Sequence, residues 1–231
     1  MKISSEFSKY AEHYGSHNVI QNRVADKLTS HIKGEPKKIL DLGCGRGAVC
    51  KNVTWTYDSF TAVDFAPGML ELHPASQIVK TIHGDFNNQS LFEELLDDGY
   101  DYIVSASALQ WADDLEFVFK NIKKLDAPIA LGIFTSNTFK TLNATASLEP
   151  ILRSAAEINT LQKRYFNAAF EVVNYRLEFE STREMFRYIK QSGVSGSRKV
   201  LDYKQTKKLM REYPVDYLEF EVAFIYSKPL S

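Results

Sequence analysis

Ile39-Leu40-Asp41-Leu42-Gly43-Cys44-Gly45-Arg46-Gly47 is the stretch on which the reading of this chain turns. The short, mostly apolar run from Lys38 to Leu42 is stopped by Gly43, the pattern of a buried strand running into a turn. Glycines at 43, 45 and 47 permit a tight turn and let a ligand lie against bare main chain. Three glycines in five residues is not the six-residue dinucleotide spacing. A glycine loop alone remains compatible with a nicotinamide or flavin site. The charge beside it argues otherwise: the Asp41 carboxylate, two residues before Gly43, opposes a pyrophosphate and favours a ligand carrying positive groups.

Outward from that loop, strand and helix alternate. Residues 60–63, closing at Asp64, read as a second strand, and Pro67-Gly68-Met69-Leu70 starts a helical segment. Residues 78–82, ahead of Gly84-Asp85, are a third strand, 100–104 a fourth and 128–135 a fifth. Between them Leu115, Val118, Phe119, Ile122 and Leu125 fall on one helical face. The alternation predicts a parallel sheet covered on both faces. After Ser136 the rhythm changes. Residues 138–168 favour helix, with no strand to pair, and read as an inserted cap. Residues 172–179 alternate like a strand, Thr182 is placed to cap a helix that stops at Gly193, and 217–226 reads as a late edge strand.

The chain of 231 residues is 44% hydrophobic and 25% charged, which excludes a disordered or collagen-like polymer and suits one large domain. Twenty-eight basic against 29 acidic residues leave a net charge of −1, with no cationic excess to hold a nucleic acid. No secretory signal is visible in residues 1–17, and no run approaches the ~18 apolar residues of a membrane span. A cytoplasmic protein without nucleic-acid or membrane partners is expected. Cys44 and Cys50 suit a reducing compartment, and Cys44 is read as a small residue that fits its loop. The five histidines show no metal spacing, so no metal is expected.

Two further acids stand at strand ends. Asp64, 23 positions after Asp41, is placed to accept both hydroxyls of a ribose, and Asp85 to accept from an exocyclic adenine amine, with Phe86 at the ring face. In an open parallel sheet, ligands bind beyond the carboxyl ends of the strands at the switch point. The three aspartates and the glycine loop together predict a nucleoside site, and the sign of Asp41 favours a ligand with positive groups, such as S-adenosylmethionine.

The sequence here resembles the class I S-adenosylmethionine-dependent methyltransferases, with ILDLGCGRG similar to their first motif, AVDFAPGML to the second and HGDF to the third. The resemblance implies a Rossmann-like α/β fold, a seven-stranded sheet with helices on both faces and a helical cap after the fifth strand. It divides the chain into an N-terminal helical arm (1–34), a cofactor core (35–135), a cap (about 136–170) and C-terminal strands and helices completing the sheet (about 171–231). It implies that Asp41, Gly43, Cys44, Gly45, Gly47, Asp64, Phe65, Met69, Gly84, Asp85, Phe86 and Ser105 hold S-adenosylmethionine, with S-adenosylhomocysteine as product. A narrower resemblance is to the malonyl-acyl-carrier-protein O-methyltransferases of biotin synthesis. Phe7-Ser8-Lys9-Tyr10-Ala11-Glu12-His13-Tyr14 with Gln21, Ser105-Ala106-Ser107-Ala108-Leu109-Gln110-Trp111, the Phe134-Thr135-Ser136 exit, Ile189 to Val194 and Tyr213-Pro214 carry it. The chain departs at Leu125-Asp126-Ala127-Pro128, where that family has Lys-Pro-Gly-Gly, and its cap matches no pattern.

A malonyl carboxylate is ionised at neutral pH, since free carboxyls titrate near ~4. Methyl transfer to it needs positioning rather than a general base. The candidates are Tyr10 and Tyr14, four apart on one helical face, and Gln110 and Trp111 after the fourth strand. Residues 183–211 hold nine basic against two acidic residues, a segment suited to an acidic carrier protein. The alternatives are a small polycarboxylate such as trans-aconitate or a quinone precursor as acceptor, a nicotinamide-binding oxidoreductase, and a non-catalytic cofactor-binding subunit.

Overall fold

A computed structural model describes residues 18–191 and 203–228. Strands β1 (Lys38–Leu42), β2 (Ser59–Asp64), β3 (Val79–His83), β4 (Tyr102–Ala106) and β5 (Ile129–Phe134) are mutually parallel. Strands β6 (Ala168–Glu178) and β7 (Tyr217–Ser227) complete a seven-stranded sheet of order β3-β2-β1-β4-β5-β7-β6, with β7 antiparallel to both neighbours. Because β2 and β3 step away from β1 on one side and β4 and β5 on the other, the chain reverses direction across the sheet at β1. The carboxyl ends of β1 and β4 flank the resulting crevice.

Each face of the sheet has its own apolar layer. On one, α1 (Val19–Ser30) and α2 (Ala48–Asn52) pack with α8 (Thr182–Gln191) and α9 (Tyr203–Glu212); Ile20, Val24 and Leu28 supply the buried stripe of α1 at four-residue spacing. On the other lie α4 (Gln89–Leu95), α5 (Leu115–Lys124) and α7 (Ala155–Gln162). Asp114 starts α5 as expected of an N-cap, its Oδ1 accepting from the Glu116 and Phe117 amides at 2.9 and 3.1 Å. Short helices α3 (Pro67–Leu70) and α6 (Lys140–Ala146) follow β2 and β5.

Three sequence expectations are corrected. The 217–226 strand is no edge: β7 lies between β5 and β6. Its alternation has two buried faces, Leu218, Phe220, Val222 and Phe224 entering one apolar layer and Ala223 and Ile225 the other. The edge strand is β6, whose residues from Val172 to Glu178 alternate between exposed and half-buried. The cap is not helical throughout: it holds two short helices, α6 and α7, joined by irregular chain, and β6 begins at Ala168. The side-chain bond at the start of α8 comes from Ser181, whose Oγ accepts from the Glu184 amide at 3.3 Å, and not from Thr182, which is the first helical residue. Gly193, the expected stop of that helix, lies outside the described residues.

Candidate functional site

Beyond the carboxyl ends of β1, β2 and β4 opens a cavity of about 250 Å³. Its floor is the glycine loop. The amides of Gly43 and Cys44 both donate to the Val63 carbonyl, at 2.8 and 2.9 Å, which folds the loop over the end of β2. Gly43 has φ +75°, and a Cβ there would stand 2.2 Å from the Ala108 Cβ, so only glycine fits between the β1 and β4 exits. Gly45 has no atom within 4 Å of where its Cβ would be. Its bare main chain faces the cavity it helps to line.

Asp64 lies in the wall and is 7% exposed. Its Oδ2 accepts from the Gly45 amide and its Oδ1 from the Ala66 amide, both at 2.9 Å. Burial pushes its pKa up, against the lowering effect of the Ala66, Gly45 and Phe65 amides. Three amides on the carboxylate still leave it acceptor capacity for a further donor such as a ribose hydroxyl. Phe65, Met69 and Phe86 give the same wall apolar surface, and Cys44 joins it. Burial, reinforced by Asp41 and Asp64, pushes the Cys44 thiol well up, consistent with a packing role.

Other expected residues sit next to the cavity without lining it. Asp41 is 1% exposed, and neither carboxylate oxygen has a partner among the described residues. Burial first, and Asp64 second, raise its pKa to about 8. It therefore offers a ligand cation no direct contact in this arrangement, because it lies within the strand and the wall begins at Gly43. Gly47 ends the loop as the left-handed N-cap of α2, where a Cβ would meet Pro74 Cδ at 2.5 Å. At Gly84 a Cβ would meet Leu91 at 2.7 Å. Asp85 builds its own turn, its Oδ1 accepting from the Asn87 amide and side chain at 2.9 Å, and so fixes the segment presenting Phe86. Ser105 is fully buried, and its Oγ donates to the Leu42 carbonyl at 2.6 Å, tying β4 to β1.

On the far side of the loop, the short 3₁₀ turn Leu109–Trp111 follows β4. Trp111 lines the cavity, whereas Gln110 turns inward and its Nε2 donates to the Ser107 carbonyl at 2.6 Å. Tyr10 and Tyr14 lie outside the described residues. Several wall residues carried no role in the sequence reading: Asn18 and Asn22 at the start of α1, Arg46, Lys51 and Ser107. Gln21, noted there for resemblance alone, also lines the cavity. A polar first turn on an amphipathic helix is an ordinary feature, and no local pattern sets these amides apart. The cavity thus combines a buried carboxylate, apolar ring surface, glycine main chain and two cationic side chains. That set suits a zwitterionic nucleoside.

Among the described residues no group of three or more His, Cys, Asp or Glu side chains is arranged to hold a metal ion, and no helix is long and apolar enough to cross a membrane.

Residues 40–129 match the family model described as a methyltransferase domain. Over 175 residues the chain is 26% identical to the malonyl-[acyl-carrier protein] O-methyltransferase of Bacillus cereus, covering 71% of this chain and 64% of that protein, just under two thirds of its length. With the malonyl-[acyl-carrier protein] O-methyltransferase of Bacillus cytotoxicus the identity is 25% over 233 residues, covering 90% of this chain and 81% of the relative. Among solved structures, a putative methyltransferase from an antibiotic biosynthesis pathway of Anabaena variabilis superimposes with a TM-score of 0.65 at 15% identity, over 89% of this chain and 96% of that one.

Proposed function

Starting from a chain that is a class I S-adenosylmethionine-dependent methyltransferase, we propose that it methylates the free carboxylate of a malonyl thioester borne on acyl carrier protein. The observation that supports the cofactor is the cavity itself, with its glycine floor, Asp64 and the Phe65, Met69 and Phe86 surface. The acceptor rests on the relatives' shared name, on sequence likeness across most of the chain, and on the chemistry that follows.

When bound, the cofactor supplies an electrophilic methyl group on a sulfonium. The residues of this chain have other tasks. Main chain from Gly43 to Gly45 would receive the ligand at close range, Asp64 would offer its remaining acceptor capacity to the ribose, and the Phe86 ring would pack on the base. Trp111, with Ala106 and Ala108, forms the β4 side of the same cavity. There the side chains hold an ionised carboxylate in line with the bond to be broken and keep water out. No proton has to be removed from such an acceptor, so the reading assigns no general base. Gln110 acts through Ser107 as a positioning group, and Tyr10 and Tyr14 remain candidates for orienting the anion from the N-terminal arm.

The carrier protein is assigned to the basic segment. Arg183 and Arg187 on α8, and Lys204, Lys208 and Arg211 on α9, are exposed side chains on two helices that touch each other.

Mass spectrometry of malonyl-carrier protein incubated with the enzyme and S-adenosylmethionine tests the reading. The expected product is heavier by one methyl group. A malonyl carrier that stays unmodified, while trans-aconitate or a quinone precursor gains the methyl group, would overturn the acceptor and leave the cofactor assignment standing.

A further inference from the structure

Ser107 stands one residue past the end of β4, in the wall of the cavity. Its φ is +62°, a left-handed conformation that side-chain-bearing residues seldom adopt. Both of its main-chain polar groups are held: the amide donates to the Gly132 carbonyl at 2.9 Å, and the carbonyl accepts from Gln110 Nε2 at 2.6 Å. Its side chain is not. The Oγ is buried and has no hydrogen-bond partner among the described residues. Ser105, two residues earlier, has the same hydroxyl spent on the Leu42 carbonyl.

A strained backbone, fixed on both sides so that one hydroxyl is left unspent in a ligand cavity, is the mark of a preorganised contact. We infer that Ser107 is a positioning residue whose Oγ–H donates to a carboxylate brought to the β4 side of the cavity. The strand order supports the choice of ligand chemistry. Asp64 and Asp85 close β2 and β3, on one side of β1, while Ser107 follows β4 on the other. The nucleoside end of the cofactor is assigned to the first side, so the reacting end and the acceptor fall to the second. Arg46 and Lys51 line the same cavity and make it hospitable to an anion. Two carboxylates are candidates for this donor, that of the acceptor and that of the amino-acid end of the cofactor. The inference rests on the methyltransferase reading for its ligands and on the Ser107 geometry for its donor.

Calorimetry separates the possibilities without relying on turnover. S-adenosylhomocysteine is titrated into the wild type, Ser107→Ala and Ser107→Gly, and a malonyl thioester is then titrated into each enzyme saturated with S-adenosylhomocysteine. Alanine removes the hydroxyl and keeps the strained backbone; glycine removes the hydroxyl and relaxes it. A hydrogen bond to a charged group being lost, the expected result is weakening of about tenfold in thioester affinity in both variants, with S-adenosylhomocysteine unaffected. The melting temperature of the glycine variant is expected at or above that of the alanine variant. Weakening of S-adenosylhomocysteine instead assigns the same hydroxyl to the cofactor carboxylate. If both affinities stay within about twofold in the alanine variant, or if glycine restores what alanine loses, the hydroxyl has no such role and the inference is overturned. A wild type that binds S-adenosylhomocysteine but no malonyl thioester refutes the proposed acceptor; the S-adenosylhomocysteine titrations then decide the role of Ser107.

Discussion

Asp41 carries two messages that only its surroundings separate. In the sequence it reads as a carboxylate two residues from a glycine loop, and the sign of its charge points to a cationic ligand. In the fold it is a fully enclosed acid whose oxygens meet no donor among the described residues, and burial together with Asp64 raises its pKa to about 8. An unfolded aspartate titrates near ~4. Between those values the folded chain retains a proton that the unfolded chain has lost, so this group makes stability fall as pH rises, until it levels off above about 8. Asp41→Asn removes the titration. The melting temperature of the wild type relative to this variant, without ligand, is therefore expected to decline from about pH 5 to about pH 8 and then to stay constant. A difference that does not change with pH would mean that the carboxyl is ionised throughout. The glycines were legible because each carries its reason locally, as Gly43 does against Ala108. Ser107 was not, since nothing local announces a positive φ on a serine; the bonds that hold it come from Gly132 on the next strand and from Gln110, read in the sequence as a substrate contact.

At the scale of elements, β1 and β2 were readable because each is a short, mostly apolar run closed by Gly43 or Asp64, and β1 falls at Lys38–Leu42 as expected. Strand β7 was misplaced because alternation reports one buried face and cannot tell what covers the other; Ala223 and Ile225 settle that only once β5 and β6 flank them. The cap was still less legible, since a long-range contact gives it meaning. The Arg153 guanidinium donates to the Ala112 and Asp113 carbonyls at 2.9 and 3.0 Å, and its own carbonyl accepts from the Ser136 amide at 2.9 Å. Asp113 is held from the other side, its amide donating to Asn87 Oδ1 at 2.9 Å. One arginine thus joins the cap to the β5 exit and to the loop carrying Trp111. Arg153→Leu is expected to cost about 1–2 kcal/mol of stability, because the freed carbonyls lie near water. It is also expected to weaken the acceptor several-fold with S-adenosylhomocysteine affinity unchanged. With fluorinated tryptophan, the fluorine resonance of Trp111 should shift while that of Trp55, hydrogen-bonded to the Pro36 carbonyl, should not. An unmoved Trp111 signal would remove the clamp.

Across the whole molecule the charges nearly cancel, yet they are unevenly placed. The net charge is −1 while residues 183–211 hold nine basic and two acidic residues, so the remainder is distinctly acidic. If the carrier docks on the basic segment, the acidic remainder would disfavour it elsewhere and that segment would attract it, orienting the encounter as well as speeding it. The described part of that segment packs on the same side of the sheet as α1, through Met185, Tyr188 and Leu209. The first turn of α1 places Asn18, Gln21 and Asn22 on the cavity wall. A carrier docked on α8 and α9 would therefore approach from the layer that borders the cavity. Lys208 and Arg211 share Glu212 at 3.9 and 3.5 Å in exposed contacts, which compete weakly with a partner. Charge reversal at Lys207 and Lys208 is expected to raise KM for malonyl-carrier protein by about tenfold or more at low salt, with kcat and the KM for a small malonyl thioester unchanged. Raising the ionic strength should erase much of the difference, because contacts between exposed charges are screened over about 8–10 Å. Equal effects on the carrier-borne and the small substrate would place the two lysines in folding or catalysis instead and leave the carrier without its docking face.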